Sequence, residues 1–419
     1  MTPSARLQAA IEILDRLQTT ALPADRFIRD WFRTRRYAGS KDRAAVAERV
    51  FAVLRRRASF SWRMQSEEPR GLILANLLAD GAQLPDIEAL FNGAGYGPKP
   101  LREDERAAIL SAPRGDPPLW VQGEFPAFLE EELRRSLGAA LLDEMHAMQA
   151  RAPVDLRVNT LKASRHDVLA LLRGEGFDAA PTPYAPHGIR ILAREGLAQL
   201  SRHVAFENGS FEFQDEAAQI AALLCDAKPG ERILDLAAGA GGKALAFAAA
   251  MNDQGEIVAS DIHAGRLQQI AVRGNRAGVT IIRTQTDVPD GGFDAVFIDA
   301  PCSGSGTWRR QPEQKWRLIQ ARLAELTALQ GRLLELGAMR VRPGGRLVYA
   351  TCSLLACEND DRIAAFLAKR PDFVLRPAVD VWREVTNAPP PPGLGEFFRA
   401  TPATTGTDGF FAAIFVRED

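Results

Sequence analysis

The stretch Phe293-Asp-Ala-Val-Phe-Ile-Asp-Ala-Pro-Cys-Ser-Gly-Ser-Gly-Thr-Trp-Arg-Arg310 decides how the chain is read. Its opening run, Phe293 to Ile298, is apolar almost without a break, as a parallel strand covered on both faces must be. Asp299 ends the run, and Pro301 forbids a central strand beyond that point. Cys302 follows in a turn of Ser and Gly. In an open α/β sheet, ligands bind just outside the carboxyl ends of the strands, so an acid and a thiol there are candidates for chemistry. Downstream, Gly345-Arg-Leu-Val-Tyr-Ala350 reads as a second buried strand and ends in Thr351-Cys352-Ser353. A free cysteine usually acts as a small buried hydrophobe. Two of them at strand ends on one rim read instead as a reactive pair.

Strand and helix alternate from Gly230 onward. Arg232-Ile-Leu-Asp-Leu236 is a strand that runs into Ala237-Ala-Gly-Ala-Gly-Gly-Lys243 and then a helix, Ala244 to Met251. Glycines at such a turn let the backbone approach a ligand closely. The next strand, Glu256 to Asp261, ends in an acid about twenty residues after the glycines, where a doubly wound fold places the carboxylate that holds ribose hydroxyls. Asp287 follows the apolar pair Ile281-Ile282 and is a candidate for the adenine amino group. A dinucleotide fingerprint needs Gly-x-Gly-x-x-Gly, whereas this turn has Gly239, Gly241, Gly242 and then Lys243. A helix is expected from Pro312 to Gly337, with Trp316 and Arg317 facing either a binding partner or the core. Asp408 to Val416 reads as the closing strand.

The first part of the chain reads as helices. Ala9, Ile11, Ile13, Leu14 and Leu17 fit one helical face, and Val46, Val50, Val53 and Leu54 mark another before Arg55-Arg-Arg57. Further helical runs lie near Leu72–Ala79, Ile87–Phe91 and Glu103–Ser111, and Arg114-Gly-Asp-Pro-Pro-Leu-Trp120 reads as a linker. Helices at Ala127–Ser136 and Ala139–Met148 lead to a small α+β unit. It has a strand from Val154 to Leu161, a helix from Arg165 to Leu172, and a strand from Ile189 to Leu192.

With 419 residues the chain is long enough for two or three domains. Its 46% hydrophobic and 25% charged residues and net charge of −1 are those of an ordinary soluble protein. The N-terminus carries no apolar signal core and no stretch has membrane-spanning length, so a cytoplasmic monomer is expected. The four cysteines, at 225, 302, 352 and 357, form no Cys-x-x-Cys pair, and no histidine stands at ligand spacing from them, so no metal is expected. The charge is uneven: Met1 to Ser66 holds fourteen Lys/Arg against six Asp/Glu, which suggests a polyanionic partner.

Asp299-Ala-Pro-Cys-Ser-Gly-Ser-Gly with Arg309-Arg310, followed by Tyr349-Ala-Thr-Cys-Ser, resembles the motif pair of the RNA 5-methylcytosine methyltransferases of the Nop/Sun family. Tyr37-Ala-Gly-Ser-Lys-Asp-Arg with Val53-Leu-Arg-Arg-Arg resembles the NusB-like RNA-binding domain of its bacterial small-subunit ribosomal RNA members. Arg157-Val-Asn159 and Gln214-Asp215 also match family patterns, although an Arg and an Asn in a strand are more often surface residues. The resemblance implies an α/β protein with a class I S-adenosylmethionine-dependent methyltransferase fold, a doubly wound sheet, preceded by an all-α NusB-like domain and a small α+β subdomain. The implied boundaries are 1–125, 126–205 and 206–419. Asp235, Ala237, Ala238, Gly239, Ala240, Gly241, Gly242, Lys243, Asp261, Asp287 and Asp299 would hold S-adenosylmethionine. Family members often carry Ala-Pro where Gly239-Ala240 stand and Thr where Ala244 stands, a change of shape and not of charge.

The chemistry then follows from cytosine. C5 is a poor nucleophile until something adds to C6, and a thiolate can do so. The resemblance gives that attack to Cys352 and the assistance of product release to Cys302. Asp299, desolvated at a strand end, is expected to be protonated and to donate to N3. The Pro301 carbonyl is expected to hold the exocyclic amino group, and Lys243 to steady Asp299 or the base. The partner would be RNA, with small-subunit (16S) ribosomal RNA first and transfer RNA as the alternative, and the target base must leave its stack. Two other readings stand beside this one. A DNA cytosine methyltransferase would use Cys302 as nucleophile. An RNA-binding assembly factor without catalysis would not require the set of acids and thiols.

Overall fold

Ile233, Ile257, Ala259, Ala295, Phe297, Val348 and Ala350 gather in one buried cluster, while their neighbours Leu234, Leu236, Val258, Val296, Ile298, Leu347 and Tyr349 gather in another. Successive side chains on a strand point to opposite faces. Two clusters from alternating positions therefore mean one sheet buried on both sides. The computed structural model describes residues 1–111, 115–193 and 197–419. The linker expected from Arg114 begins outside the described residues, and its far end, Leu119 and Trp120, already starts a short helix.

Among the described residues, twelve strands form two sheets. The small one holds β1 (Val154–Val158), β2 (Ala179–Pro181), β3 (Gly188–Ile191) and β4 (Phe211–Phe213), antiparallel throughout in the order β2-β3-β1-β4. The large one holds β5 (Arg232–Leu236), β6 (Glu256–Ser260), β7 (Ile282–Gln285), β8 (Phe293–Asp299), β9 (Val341–Thr351), β10 (Phe373–Arg376), β11 (Phe398–Ala400) and β12 (Phe410–Arg417). Its order is β10-β12-β9-β8-β5-β6-β7, with β11 beside β12. From β7 to β9 all pairs are parallel, and β12 runs antiparallel to β9 and β10. The closing strand is thus antiparallel and lies inside the sheet, not at its edge. β10 lies outside it, a four-residue strand whose mixed exposure gave no clear pattern.

One face of the large sheet is covered by the helices Glu216–Leu223, Gly242–Ala250, Ala264–Ala277 and Ala378–Val385, which supply Ile220, Phe247, Ile270 and Trp382. The other is covered by Gln320–Ala338 and Asp360–Lys369, through Leu334, Ala338, Ile363 and Phe366. The chain passes from β5 outward to β7, then returns to β8 on the other side of β5. The order reverses between β5 and β8, and in such sheets the crevice at that switch point takes the ligand.

Contacts divide the described chain into two compact units, residues 1–150 with 308–320, and residues 151–307 with 321–419. The all-helical unit therefore extends past 125, and both sheets fall in the second unit. The helix expected over Pro312–Gly337 is in fact two, Pro312–Arg317 and Gln320–Ala338, parted at Leu318, whose backbone is extended. The first of them belongs to the helical unit. There Trp316 Nε1 donates to Leu54 O at 2.6 Å and Lys315 Nζ to Arg55 O at 3.0 Å, at the C-terminal end of the helix Ser40–Arg55. Arg317 donates to Leu17 O and Leu22 O, and Glu313 accepts from Ala24 N at 3.0 Å. Trp316 and Arg317 thus satisfy the carbonyls of Leu54 and Leu17, which the ends of their helices leave open. Among the described residues no helix is long and apolar enough to cross a membrane.

Candidate active site

Period-two alternation places the candidate acids together. Asp235 continues the face of Ile233 on β5 and Asp299 that of Phe297 on β8, while Asp261 and Cys352 stand one residue past β6 and β9 on the same parity. Four reactive side chains therefore converge on one face of the sheet at its carboxyl ends.

The turn after β5 is built on positive φ at Ala237 (64°), Gly239 (56°) and Gly241 (79°). Such a value is uncommon for a residue with a Cβ, and Ala237 holds it beside the switch point, where strained backbone tends to serve a site. A Cβ on Gly241 would meet Ile270 at 2.8 Å. Asp261 ties this turn to β6: its Oδ2 accepts from Gly239 N at 3.0 Å and its Oδ1 from His263 N at 2.8 Å. Two further lone-pair positions on that carboxylate are left for a ligand. Ile262, next in the chain, is 84% exposed and offers an apolar wall beside it.

Asp235 is fully buried, and neither of its oxygens is within hydrogen-bonding geometry of a partner, the Ala244 amide included. Burial, with the charge of Asp299 adding to it, pushes its pKa up to about 8 against the pull of Lys243. The sequence assigned that desolvated acid to Asp299. Asp299 instead keeps a side chain 31% exposed and accepts from Lys243 Nζ at 2.5 Å. Burial draws the Lys243 ammonium down, but Asp299, then Cys352 and Asp235, outweigh it and hold the pKa above its ordinary value.

The sulfurs of Cys302 and Cys352 lie 3.4 Å apart. The hydrogen bond to Cys352, then burial, raises the Cys302 thiol well above its ordinary value, so Cys302 is the member that keeps its proton. Cys225 is buried in the core, where burial pushes it up to about 12. Pro301 O, expected to be open to a base, already accepts from Gln330 Nε2 at 2.9 Å. Asp287 is exposed, two residues beyond β7, and its main-chain carbonyl accepts from Ser260 Oγ at the end of β6.

Several residues here were given no role or a surface one. Arg157 is 8% exposed and donates to Gln214 Oε1 at 2.5 Å and to Gly242 O at 2.7 Å, so it braces the glycine turn from the small sheet. Asn159 Nδ2 donates to Gly209 O and Ala277 O. The matched motif Arg157-Val-Asn159 was the available signal for both. Arg273 donates to Ala240 O at 2.5 Å. Glu358 and Gln330, both wholly buried below the two cysteine loops, had no motif to mark them.

A doubly wound sheet of this order, with a glycine turn at its switch point and acids at the neighbouring strand ends, is a class I methyltransferase fold. Residues 222–416 match the family described as 16S rRNA methyltransferase RsmB/F, and residues 125–195 match the ferredoxin-like domain of RsmF/B-like methyltransferases. The ribosomal RNA small subunit methyltransferase B of Xylella fastidiosa (strain 9a5c) is 31% identical over 90% of this chain and 92% of its own. A probable ribosomal RNA small subunit methyltransferase B of Synechocystis is 36% identical over 62% of this chain and 60% of its own. The crystal structure of PH0851 superposes with a TM-score of 0.79 at 25% identity, covering 100% of this chain and 99% of that one. The chain belongs to the RsmB/F family of ribosomal RNA methyltransferases, within the Nop/Sun group.

Proposed function

We propose that the protein transfers a methyl group from S-adenosylmethionine to C5 of a cytosine in small-subunit ribosomal RNA, through a covalent bond between Cys352 and C6. The observation that carries this is the sulfur pair at 3.4 Å, one strand away from the Lys243–Asp299 pair. The cofactor fits the residues present. Asp235 is a buried acid lacking a partner and suits a cationic amino group; Asp261 suits ribose hydroxyls; Ile262 and Asp287 flank the place for adenine; and the turn Ala237–Gly242 leaves room for backbone approach. S-adenosylmethionine supplies an electrophilic methyl on a sulfonium.

The chain's own residues do the rest. Cys352, once it has lost its proton, attacks C6, and the electron pair of C5=C6 moves toward C5. Negative charge reaching N3 is met by the Lys243 ammonium, which Asp299 holds in place as a positioned donor. After transfer, C5 carries both the methyl and its hydrogen. Cys302 gives its proton to the departing Cys352 sulfur and takes the C5 proton in its place, so the C6–S bond breaks and C5=C6 re-forms. Two cysteines serve because attack needs a thiolate and expulsion needs a thiol.

The exposed basic residues Arg33, Arg36, Lys41 and Arg43 around the exposed Tyr37 give the helical unit a face for the phosphate backbone. The test is methylation of small-subunit RNA carrying tritium at cytosine C5. Each methyl transferred should release one tritium to water. Methyl transfer without release would put the methyl on another atom.

A further inference from the structure

Both proposed reactive cysteines are followed by serine, in Cys302-Ser303 and Cys352-Ser353. The two serines turn away from the sulfurs and meet below them, with their Oγ atoms 3.3 Å apart. Both donate to one carboxylate, Glu358, which is fully buried. Its Oε2 accepts from Ser303 Oγ at 2.5 Å and from Ser353 Oγ, and its Oε1 from Ser303 N at 2.9 Å and Gln330 Nε2 at 3.0 Å. Four donors fill the four lone-pair positions of a carboxylate, and all four are neutral. Burying a charge with only neutral partners is costly, and apolar residues of the same volume would pack the site at less cost.

The rest of the network leads back to the same two loops. Gln330 also holds Pro301 O, the residue before Cys302. Ser305 Oγ joins Ser353 Oγ at 3.1 Å and accepts from Leu354 N at 2.8 Å. Asn359 holds Ser353 O at 2.9 Å and accepts from Thr351 Oγ1 at 2.6 Å, and Gly306 N donates to Cys352 O at 2.9 Å. Positions 303 and 353 are thus anchored to Glu358 directly, 301 through Gln330, and 351 to Asn359, the next residue in the chain.

We infer that Glu358 is the positioning residue of both cysteines: its carboxylate draws Ser303 and Ser353 together and so sets the separation of the two sulfurs. It touches no reacting atom. The inference deepens the proposed function and rests on that reading for its catalytic meaning, because proton exchange between the sulfurs needs them in contact. The negative charge of Glu358 also contributes to holding the Cys302 proton in place.

The test uses the full chain and two readouts. In the free protein, diamide takes two electrons and two protons from a thiol pair, and the rate of Cys302–Cys352 disulfide closure is followed by peptide mass spectrometry. This needs neither RNA nor methyl transfer. With cofactor and small-subunit RNA, single-turnover formation and decay of the denaturation-resistant RNA–protein adduct are followed. Glu358→Gln should close the disulfide about tenfold more slowly or worse, and lose a similar factor in adduct formation, because displaced reacting atoms lose rate steeply. Cofactor affinity should stay within about twofold, since Glu358 touches none of the cofactor's proposed partners. Ser303→Ala and Ser353→Ala, which each remove one arm and leave the carboxylate, should slow closure by smaller factors, and Glu358→Asp should recover part of the loss. Closure at the wild-type rate in folded Glu358→Gln overturns the inference, as does cofactor affinity that falls in step with closure. Slowed closure together with a wild-type protein that forms no adduct would support the positioning and sink the proposed chemistry.

Discussion

Lys243 Nζ lies 2.5 Å from Asp299 Oδ2, so the first turn of the helix after β5 is tied to the last residue of β8. The bond spans the switch point of the sheet. Lys243 also lowers the pKa of the buried Asp235, against burial and the charge of Asp299. Lys243→Met should therefore lower kcat by about 100-fold or more, the usual worth of a positioned proton donor. Lys243→Arg should recover little, because a planar guanidinium does not replace a compact ammonium at so short a contact. Steady-state kinetics on small-subunit RNA decide this, and a variant within threefold of wild type would remove Lys243 from the proton path.

Asp235 makes stability depend on pH in a defined direction. Its pKa is raised from 3.8 to about 8 in the folded chain. Between those values the folded protein keeps a proton that the unfolded chain has released. Its contribution to stability is therefore full below about pH 4 and is lost as pH rises toward 8. Asp235→Asn should flatten that decline by an amount on the order of a few kcal/mol. Chemical denaturation of the cofactor-free protein at pH 5 and pH 8 measures it, and parallel slopes for wild type and variant would count against the buried acid.

Asp261 has two tasks, and its loss should show both. Asp261→Ala removes the acceptor for Gly239 N as well as that proposed for ribose. Cofactor affinity should fall tenfold or more, at about 1.5–3 kcal/mol per charge-assisted hydrogen bond lost. Calorimetry gives the number, and unchanged affinity would place the ribose elsewhere.

The two cysteines should fail differently. Cys352→Ala removes the attacking sulfur, so neither adduct nor methylated product should form. Cys302→Ala leaves attack and transfer possible but slows expulsion, so a methylated RNA–protein adduct should survive denaturing electrophoresis. The reverse pattern would make Cys302 the nucleophile. Two merely structural cysteines would show only modest stability losses, of roughly 1–2 kcal/mol.

Removal of the first 66 residues would take out much of the helical core, from Leu7 to Met64, and so cannot isolate the effect of charge. Arg36 and Lys41 are exposed and can be replaced without touching that core. If both meet phosphates, the double alanine variant should flatten the slope of log affinity against log salt by about 1.5. An unaltered slope measured by filter binding would leave them as solvated surface.

The large sheet was legible because parallel strands covered on both faces are written as apolar runs. β5 and β8 begin and end within a residue of their expected limits. The site was legible where a side chain sits at such a strand end, as Asp261, Asp299 and Cys352 do. What escaped depends on neighbours distant in sequence. Asp235 and Asp299 look alike in the chain, and only the sheet shows that the first is sealed; the contact of Lys243 with Asp299 was among the expectations. The partners of Trp316 lie 262 positions away, at Leu54. Glu358 needs two loops to come together before its position has meaning.

The detour of residues 308–320 into the helical unit has a consequence for how the chain is made. Leu54 O and Arg55 O leave the ribosome early, but the indole and ammonium that meet them are not synthesised until residues 315 and 316. The N-terminal helices bury a core of their own, Leu7 to Ile109, so what waits while β1 to β8 emerge is only the seat for Lys315 and Trp316. Their seat is filled before β9, β10, β11 and β12 exist to complete the large sheet. A chain stalled anywhere between the two halves carries that seat unfilled, with Leu54 O and Arg55 O left to water.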